Sequence, residues 1–437
     1  MGINLLGGIS LPKNKDDEMW NDILEIRPPE FYSVPIMCTN GLPAEPVVKP
    51  GDKVKQGALI AKPTTNKGSF VYSPTSGKVV SIIDKLTPNG FKCPHVVITN
   101  DNKMESVGFL PIEDINAQEL LKRLAVSGIV DSNFGGMPTY LRYTLNAVEK
   151  QFTLYVVMSN TDPYLSANES LTIHRTAEVV QGAKYFAQIL SSKQIVFVFT
   201  QRAKKARKIL VKFLKKQEPA LKYSIKEILN TFPSDNIKLL MHRFKPKKKM
   251  FVESDSQPKA FVEDAITCYS FFNAVKNNKP IDYRVITVSG NNIVRKGNYI
   301  VKNGTSFEHV LEVLGTKDNT KPFKVLNGGI MMGIAQYSTD VSCNPETQSL
   351  TFIDEKEFNV QKELPCINCG KCVDVCPMNL LPNKLDENCV NRKTYDASVL
   401  GIRSCIECGC CSYVCPSKRY LTQRITNVKR EIEGGKA

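Results

Sequence analysis

"CIECGCCSYVCPSK" (405–418) places five cysteines within eleven positions. Upstream, "CINCGKCVDVCP" (366–377) carries the same pattern. Cys366, Cys369, Cys372 and Cys376 are followed by Pro377; 39 positions later Cys405, Cys408, Cys411 and Cys415 are followed by Pro416. This C-x2-C-x2-C-x3-C-P run holds 4Fe-4S clusters in bacterial ferredoxins. Two residues between ligands let a loop wrap one face of a cube and reach three irons. The fourth cysteine points onto the next segment, which proline starts with a fixed φ. In two-cluster proteins that cysteine ligates the other cluster. The spacing therefore predicts one cluster on Cys366, Cys369, Cys372 and Cys415, and a second on Cys405, Cys408, Cys411 and Cys376. Superposing the runs sets Cys410 on Lys371, so Cys410 is the spare thiol. Two exact repeats ending in proline exclude coincidence, and zinc sites rarely use thiolates so arranged. Cys38, Cys93, Cys268, Cys343 and Cys389 are scattered and read as buried, inert thiols.

The chain of 437 residues has room for two to four domains with real cores. Its start, "MGINLLGGISLPKNKDDE", lacks the apolar run of a secretory signal, so 14 cysteines point to metal or redox chemistry rather than disulfides. No apolar stretch reaches the roughly 18–20 residues that span a bilayer, which predicts a soluble or peripheral protein. The net charge of +15 is concentrated in "TQRAKKARKILVKFLKK" (200–216), "HRFKPKKK" (242–249) and the C-terminal tail. These read as solvated lysine faces, or as a surface for an anionic membrane or an acidic redox partner. No recognition motif accompanies the charge, so nucleic acid is not an expected partner.

The order of periodic segments along the chain predicts a multidomain α/β plus β protein. Residues 1–30 read as an irregular arm. Residues 31–110 carry short alternating strands punctuated by Gly51, Gly57 and Gly77. Within them "GDKVKQGALI" and "SPTSGKVVSI" resemble the two halves of a barrel-sandwich hybrid. Lys67 is the one lysine placed as a lipoyl or biotinyl carrier would need it, but its flanks match no carrier signature. Residues 115–280 alternate helix and strand, which implies a Rossmann-like α/β layer with a parallel sheet: helices over 116–130, 176–192 and 203–216, buried strands over 153–160 and 194–200. Residues 281–345 read as a β-grasp (SLBB-like) unit with one helix, closed by the glycine turn "GGIMMG" (328–333). The polar "IDEKEFNVQKEL" (353–364) reads as a linker into a helical two-cluster ferredoxin-type domain over 355–437.

That order of units resembles the RnfC family, a component of the Rnf electron transport complex. The resemblance covers nearly the whole chain and rests on "GGISLPKNK" (7–15), "PAEPVVKPGDKV" (43–54), "GIV…GGMPT" (128–139), "DPYL" (162–165), "GGIMMG" and "CIECGCCSYVCPSK". It implies a peripheral protein on the cytoplasmic face of the cell membrane, bound to other membrane subunits of an Rnf-type complex. In that family electron transfer between ferredoxin and NAD is coupled to ion movement, so ferredoxin or another acidic redox protein is the implied partner.

The family's α/β domain resembles the FMN-binding domain of the flavin subunit of NADH dehydrogenase. There a G-x-G-G-A-G-F-P-T loop lets backbone amides approach the flavin phosphate. Here the matching stretch is "VDSNFGGMPT" (130–139), with Asp131, Asn133 and Phe134 where small residues are expected. The second and third family loops survive as "VMSNTDPYL" (157–165) and "FPSDNIK" (232–238), the latter with Asp235 in a glycine position. Three altered loops argue against ordinary FMN and NAD(H) binding. Any residual flavin-like site would use Gly135, Gly136 and Asp162. The expected function is electron relay through two 4Fe-4S clusters. The alternatives are an FMN-dependent NADH:acceptor oxidoreductase subunit and an adaptor feeding a soluble reductase.

Overall fold

A computed structural model describes residues 7–12, 20–36, 44–65, 68–144, 152–217, 221–243, 260–317, 324–355 and 361–434. Lys67, Cys38 and the basic stretch 244–249 lie outside these residues. Four parallel strands form the central sheet in the order Lys222–Ile228, Gln194–Thr200, Thr153–Val157, Ala260–Asp264. Numbered by their place in the chain, the order is third, second, first, fourth, which is that of doubly wound folds. The reversal of direction falls between Thr153–Val157 and Ala260–Asp264. "QIVFVFT" (194–200) is apolar because helices cover both faces of such a sheet.

On one face the helices Thr176–Ile189 and Ala265–Lys276 pack against each other, with Phe186, Phe197 and Phe271 fully buried. Their close approach depends on Gly182, where a Cβ would stand 1.8 Å from the carbonyl oxygen of Cys268. On the other face the short helix Ile237–Arg243 sets Ile237 and Leu240 against Val157, Val198 and Val262.

The N-terminal unit is a barrel-sandwich of two sheets. One is ordered Phe31–Pro35, Lys92–Asn100, Gly77–Leu86, Lys53–Val54, and the other Ala44–Pro46, Leu59–Pro63, Val71–Tyr72. Tyr32, Ile60, Val79, Val96 and Ile98 fill the space between them.

A mixed six-stranded sheet follows the α/β domain, and it departs from the sequence reading twice. Leu24–Glu25, in the segment read as an irregular arm, pairs in parallel at the edge beside Gly297–Lys302. The unit also does not end at residue 345. Ser349–Ile353 inserts between Tyr283–Ser289 (parallel) and Lys324–Asn327 (antiparallel), so Ile353 belongs to a strand and not to a linker. All five residues of that strand are buried, including Ser349 and Thr351, so it lacks the polar–apolar alternation by which a half-buried strand is recognised. Helix Phe307–Leu314 closes the core with Phe307 and Val310.

The C-terminal unit is helical, with Leu385, Ala397, Ile402 and Ile425 at its centre. Asp386, only 2% exposed, accepts from Arg419 Nε at 2.8 Å and from Arg424 Nε at 2.5 Å. Arg424 also pairs with Glu363, which fastens the helix Leu421–Glu433 to the segment entering the unit. Among the described residues no helix is long and apolar enough to cross a membrane.

Gly182→Ala should force the two packed helices apart and destabilise the α/β domain by about 1–3 kcal/mol. Urea unfolding followed by circular dichroism would read this as a lower midpoint at unchanged slope.

Candidate iron–sulfur and nucleotide sites

The two cysteine runs adopt one local design. Asn368 and Glu407 take positive φ (53° and 60°), and Gly370 and Gly409 take φ of 79° before the short helices Lys371–Asp374 and Cys410–Val414. The two short helices pack together. This brings Cys376, from the end of the first run, to the loop of the second. A cavity is ringed by Cys376, Cys405, Cys408 and Cys411, with Cys410 also on its wall; the rest of its lining is mainly apolar, Met378 and Leu385 included. Around the other loop, Cys415 and Cys366 lie close enough to Cys372 for their charges to raise its thiol, after the larger effect of burial. Cys366 and Cys369 are exposed.

Among the described residues no three acid, histidine or cysteine side chains converge as on a single ion. A cube spreads its four ligands over four irons, so the fit is judged by a thiol-ringed cavity, and the donor set fits. Burial pushes the thiols of Cys405 and Cys411 up to about 12, so metal must displace their protons on binding. Polar hydrogens already point at several sulfurs. Leu380 N donates to Cys376 Sγ at 3.3 Å, Glu407 N to Cys405 Sγ at 3.4 Å and Asn368 N to Cys366 Sγ at 3.5 Å. Thr422 Oγ1 lies 3.4 Å from Cys411 Sγ. Cys410 is fully buried, with its sulfur 3.7 Å from the Phe232 carbonyl oxygen.

Of the other scattered cysteines, Cys93, Cys268, Cys343 and Cys389 are buried, and burial raises all four thiols. Sequence reasoning missed Glu407 and Lys429, which pair on the second loop, and Lys238, whose charge feels both. The signal was present in the repeat, where Glu407 falls on Asn368.

The three altered loops of the α/β domain do come together. Thr161 N donates to Asp235 Oδ2 at 3.0 Å, and the Lys238 ammonium lies 5.4 Å from the centre of the Phe134 ring. Their polar groups face protein. Asp131 is 5% exposed and pairs with Arg142 at 3.0 Å rather than pointing at a phosphate site. Arg142 also binds Glu263, which accepts from the Tyr143 hydroxyl at 2.7 Å. Phe134 does not stand alone as bulk; the Arg142 guanidinium lies 5.1 Å from its ring centre.

The named residual-site residues each meet protein. Gly135 is a left-handed cap of the turn Ser132–Phe134. Gly136 faces Glu346, whose Oε1 lies 2.4 Å from where a Cβ would stand. Asp162 accepts from Tyr164 N at 2.9 Å and abuts Gly329 of the "GGIMMG" turn. Glu346 and Gly329 thus occupy the space beside Gly136 and Asp162.

Known proteins share this order of units. Residues 3–103 match the RnfC barrel sandwich hybrid domain, 124–273 the Nuo51 FMN-binding domain, and 365–419 the 4Fe-4S dicluster domain. The chain is 29% identical over 384 residues to the RnfC protein of the proton-translocating ferredoxin:NAD(+) oxidoreductase complex of Clostridium ljungdahlii, covering 87% of this chain and 83% of that one. It is 27% identical to the RnfC protein of the ion-translocating oxidoreductase complex of Rhodobacter capsulatus, over 88% of this chain and 74% of the relative. Over most of its length the chain is RnfC-like. Its Pseudomonas aeruginosa relative, 29% identical, is longer, and the match covers 49% of it. Among solved structures, an NAD+-reducing NiFe hydrogenase aligns with a TM-score of 0.47 at 11% identity, over 74% of this chain and 63% of that one. The RnfC-like assignment carries the dicluster domain and two 4Fe-4S clusters with it.

Glu346 gives a pH test of the contact at Gly136. Burial pushes its carboxyl from 4.5 up to about 7, partly offset by the Asn89 amide hydrogen bond. An acid whose folded value is raised stabilises the fold fully below its unfolded value and loses that contribution as pH rises through the folded one. Stability should therefore decline between about pH 4.5 and 7. Glu346→Gln should flatten that part of the profile, as measured by denaturation midpoints across the range.

Proposed function

We propose that this chain is an electron-transfer subunit of an Rnf-type, membrane-bound, ion-translocating oxidoreductase complex. The observation that carries the reading is the cavity ringed by Cys376 from one run and Cys405, Cys408 and Cys411 from the other. Cys366, Cys369, Cys372 and Cys415 would hold the second cluster. Such a pair supplies reversible one-electron transfer. The chain's own contribution is to fix eight thiols, to aim amide hydrogens at the sulfurs and to exclude water from the inner loop while leaving Cys366 and Cys369 at the surface.

The sheet order beside helix Phe307–Leu314 supports a β-grasp, SLBB-like reading of the unit after the α/β domain: a hairpin, a helix, and a last long strand parallel to the first. A peripheral seat at the cytoplasmic membrane face, beside other membrane subunits, accords with the names of the relatives. The partner exchanging electrons would be ferredoxin or another acidic redox protein. In its favour, Lys204, Lys205, Lys208 and Lys212 line the exposed face of the helix Lys204–Leu214. A second reading, an FMN-dependent NADH oxidoreductase subunit, is favoured by the match of residues 124–273 to an FMN-binding domain. Against it stand Asp131, Glu346 and Asp162, each engaged with protein.

The anaerobically purified chain should contain about eight irons and eight labile sulfides. Cys415→Ser should damage one cluster while Cys410→Ser leaves both. Iron near four, or the opposite pattern between the two variants, overturns the ligand set. The nucleotide readings separate by fluorescence titration with FMN and by NADH-dependent dye reduction. No stoichiometric flavin and no turnover are expected, with chemical reduction of the clusters unimpaired; tight FMN binding with turnover would establish the second reading.

A further inference from the structure

The two cysteine loops share a backbone but not a charge. Asn368 and Glu407 occupy the same place, each with its amide on the sulfur of the cysteine two positions earlier. Asn368 is neutral and exposed. The Glu407 carboxylate accepts from Lys429 Nζ at 2.8 Å, and the same ammonium donates to the carbonyl oxygen of Cys405 at 2.7 Å. Lys429 comes from the helix Leu421–Glu433 and is only 5% exposed. Lysine is almost never so buried without a task or a partner. Lys238 reaches the same place from the α/β domain; Lys429 and Glu407, and more weakly Asp131 and Glu433, act on its charge. The inner loop thus carries a lysine–glutamate pair, with the Lys238 ammonium within electrostatic range of it, where the outer loop has an amide.

We propose that Lys429, held by Glu407 and backed by Lys238, is a positioning residue that raises the reduction potential of the cluster on Cys405, Cys408, Cys411 and Cys376. The inference rests on the two-cluster reading above. Reduction adds one negative charge and no proton; the electron comes from the neighbouring cubane, which is oxidised in the same step. In a water-poor site that extra charge is disfavoured unless a fixed cation faces it. At the outer loop, where Cys366 and Cys369 are exposed, water supplies the same stabilisation. Lys429 replaces solvent at the inner loop and keeps the two sites within reach of one another.

The test is a potentiometric titration of the full, anaerobically purified chain followed by EPR, after its iron content has been measured. Lys429→Met should lower one of the two potentials by at least a tenfold change in the reduction equilibrium, about 59 mV for one electron, and leave the other in place. Lys429→Arg should restore most of the shift. Glu407→Gln should move the same potential upward, and Asn368→Glu should move the other one downward. Eight irons with both potentials unmoved in Lys429→Met and Glu407→Gln, or with both displaced equally, overturns the inference alone. If Lys429→Met fails to take up iron, the signs of the Glu407→Gln and Asn368→Glu shifts decide. Iron near four in the unaltered chain overturns the two-cluster reading, and this inference with it.

Discussion

Ile9 and Phe232 exchange backbone hydrogen bonds of 2.9 and 2.8 Å, while Gly8 donates to the carbonyl of Val375 at 2.8 Å. One short stretch of chain is thereby bonded to the α/β domain on one side and to the cysteine unit on the other. Only glycine permits it. Gly7 and Gly8 have φ of 83° and 88°. A Cβ on Gly7 would lie 2.7 Å from the Cys376 carbonyl oxygen, and one on Gly8 equally close to that of Phe232. Ile9, Leu11, Phe232, Leu239, Ile406 and Cys410 then close into a single apolar cluster. The seam sets where the inner cysteine loop stands relative to the altered loops, and so puts Lys238 of one unit within electrostatic range of Glu407 of the other.

The α/β domain keeps the architecture of a nucleotide site while its polar groups have acquired protein partners. Arg142, 5% exposed, carries Asp131 and Glu263 on its guanidinium, and its face meets the Phe134 ring. A buried ion pair contributes little net stability, because desolvation offsets much of the attraction, but removing one partner is costly since it strands the others. Such a group can persist only as a complete set. This accounts for why the loop at 130–139 is altered at several places together: Asp131 requires Arg142, and Phe134 covers the guanidinium that Asp131 needs. A phosphate would have to compete with Asp131 for that cation.

What could be read in advance divides by the range of the interaction. The cysteine runs were legible because ligand spacing is local and repeated. The strand 194–200 and the helices starting near 117, 176 and 204 were legible because apolar periodicity is local too. Ser349–Ile353 was not, because its identity depends on two neighbours, one of them some 60 positions earlier in the chain. The pairing of Leu24–Glu25 and the seam at Ile9 were hidden for the same reason. Asp131 stands out in the sequence as foreign to a phosphate loop, but its partner Arg142 carries no mark there. Lys429 sits in an ordinary amphipathic helix; nothing short of the fold shows that this lysine points inward.

The spare cysteine is explained by the same contrast between the two loops. Lys371 and Cys410 occupy equivalent places, one after each helix-starting glycine. Lys371 is exposed at the outer loop. Its counterpart faces the seam, fully buried against Phe232 and grouped with Ile9 and Leu11. A lysine there would bring an ammonium into an apolar contact without a carboxylate to meet it, at a cost of several kcal/mol. A small apolar side chain fits, and buried cysteine behaves as one. Cys410 packs at the seam as such a side chain would. The two runs repeat their cysteines but differ in the positions between them: Asn368 and Lys371 are exposed in one loop, while Glu407 meets the buried Lys429 and Cys410 meets the seam in the other.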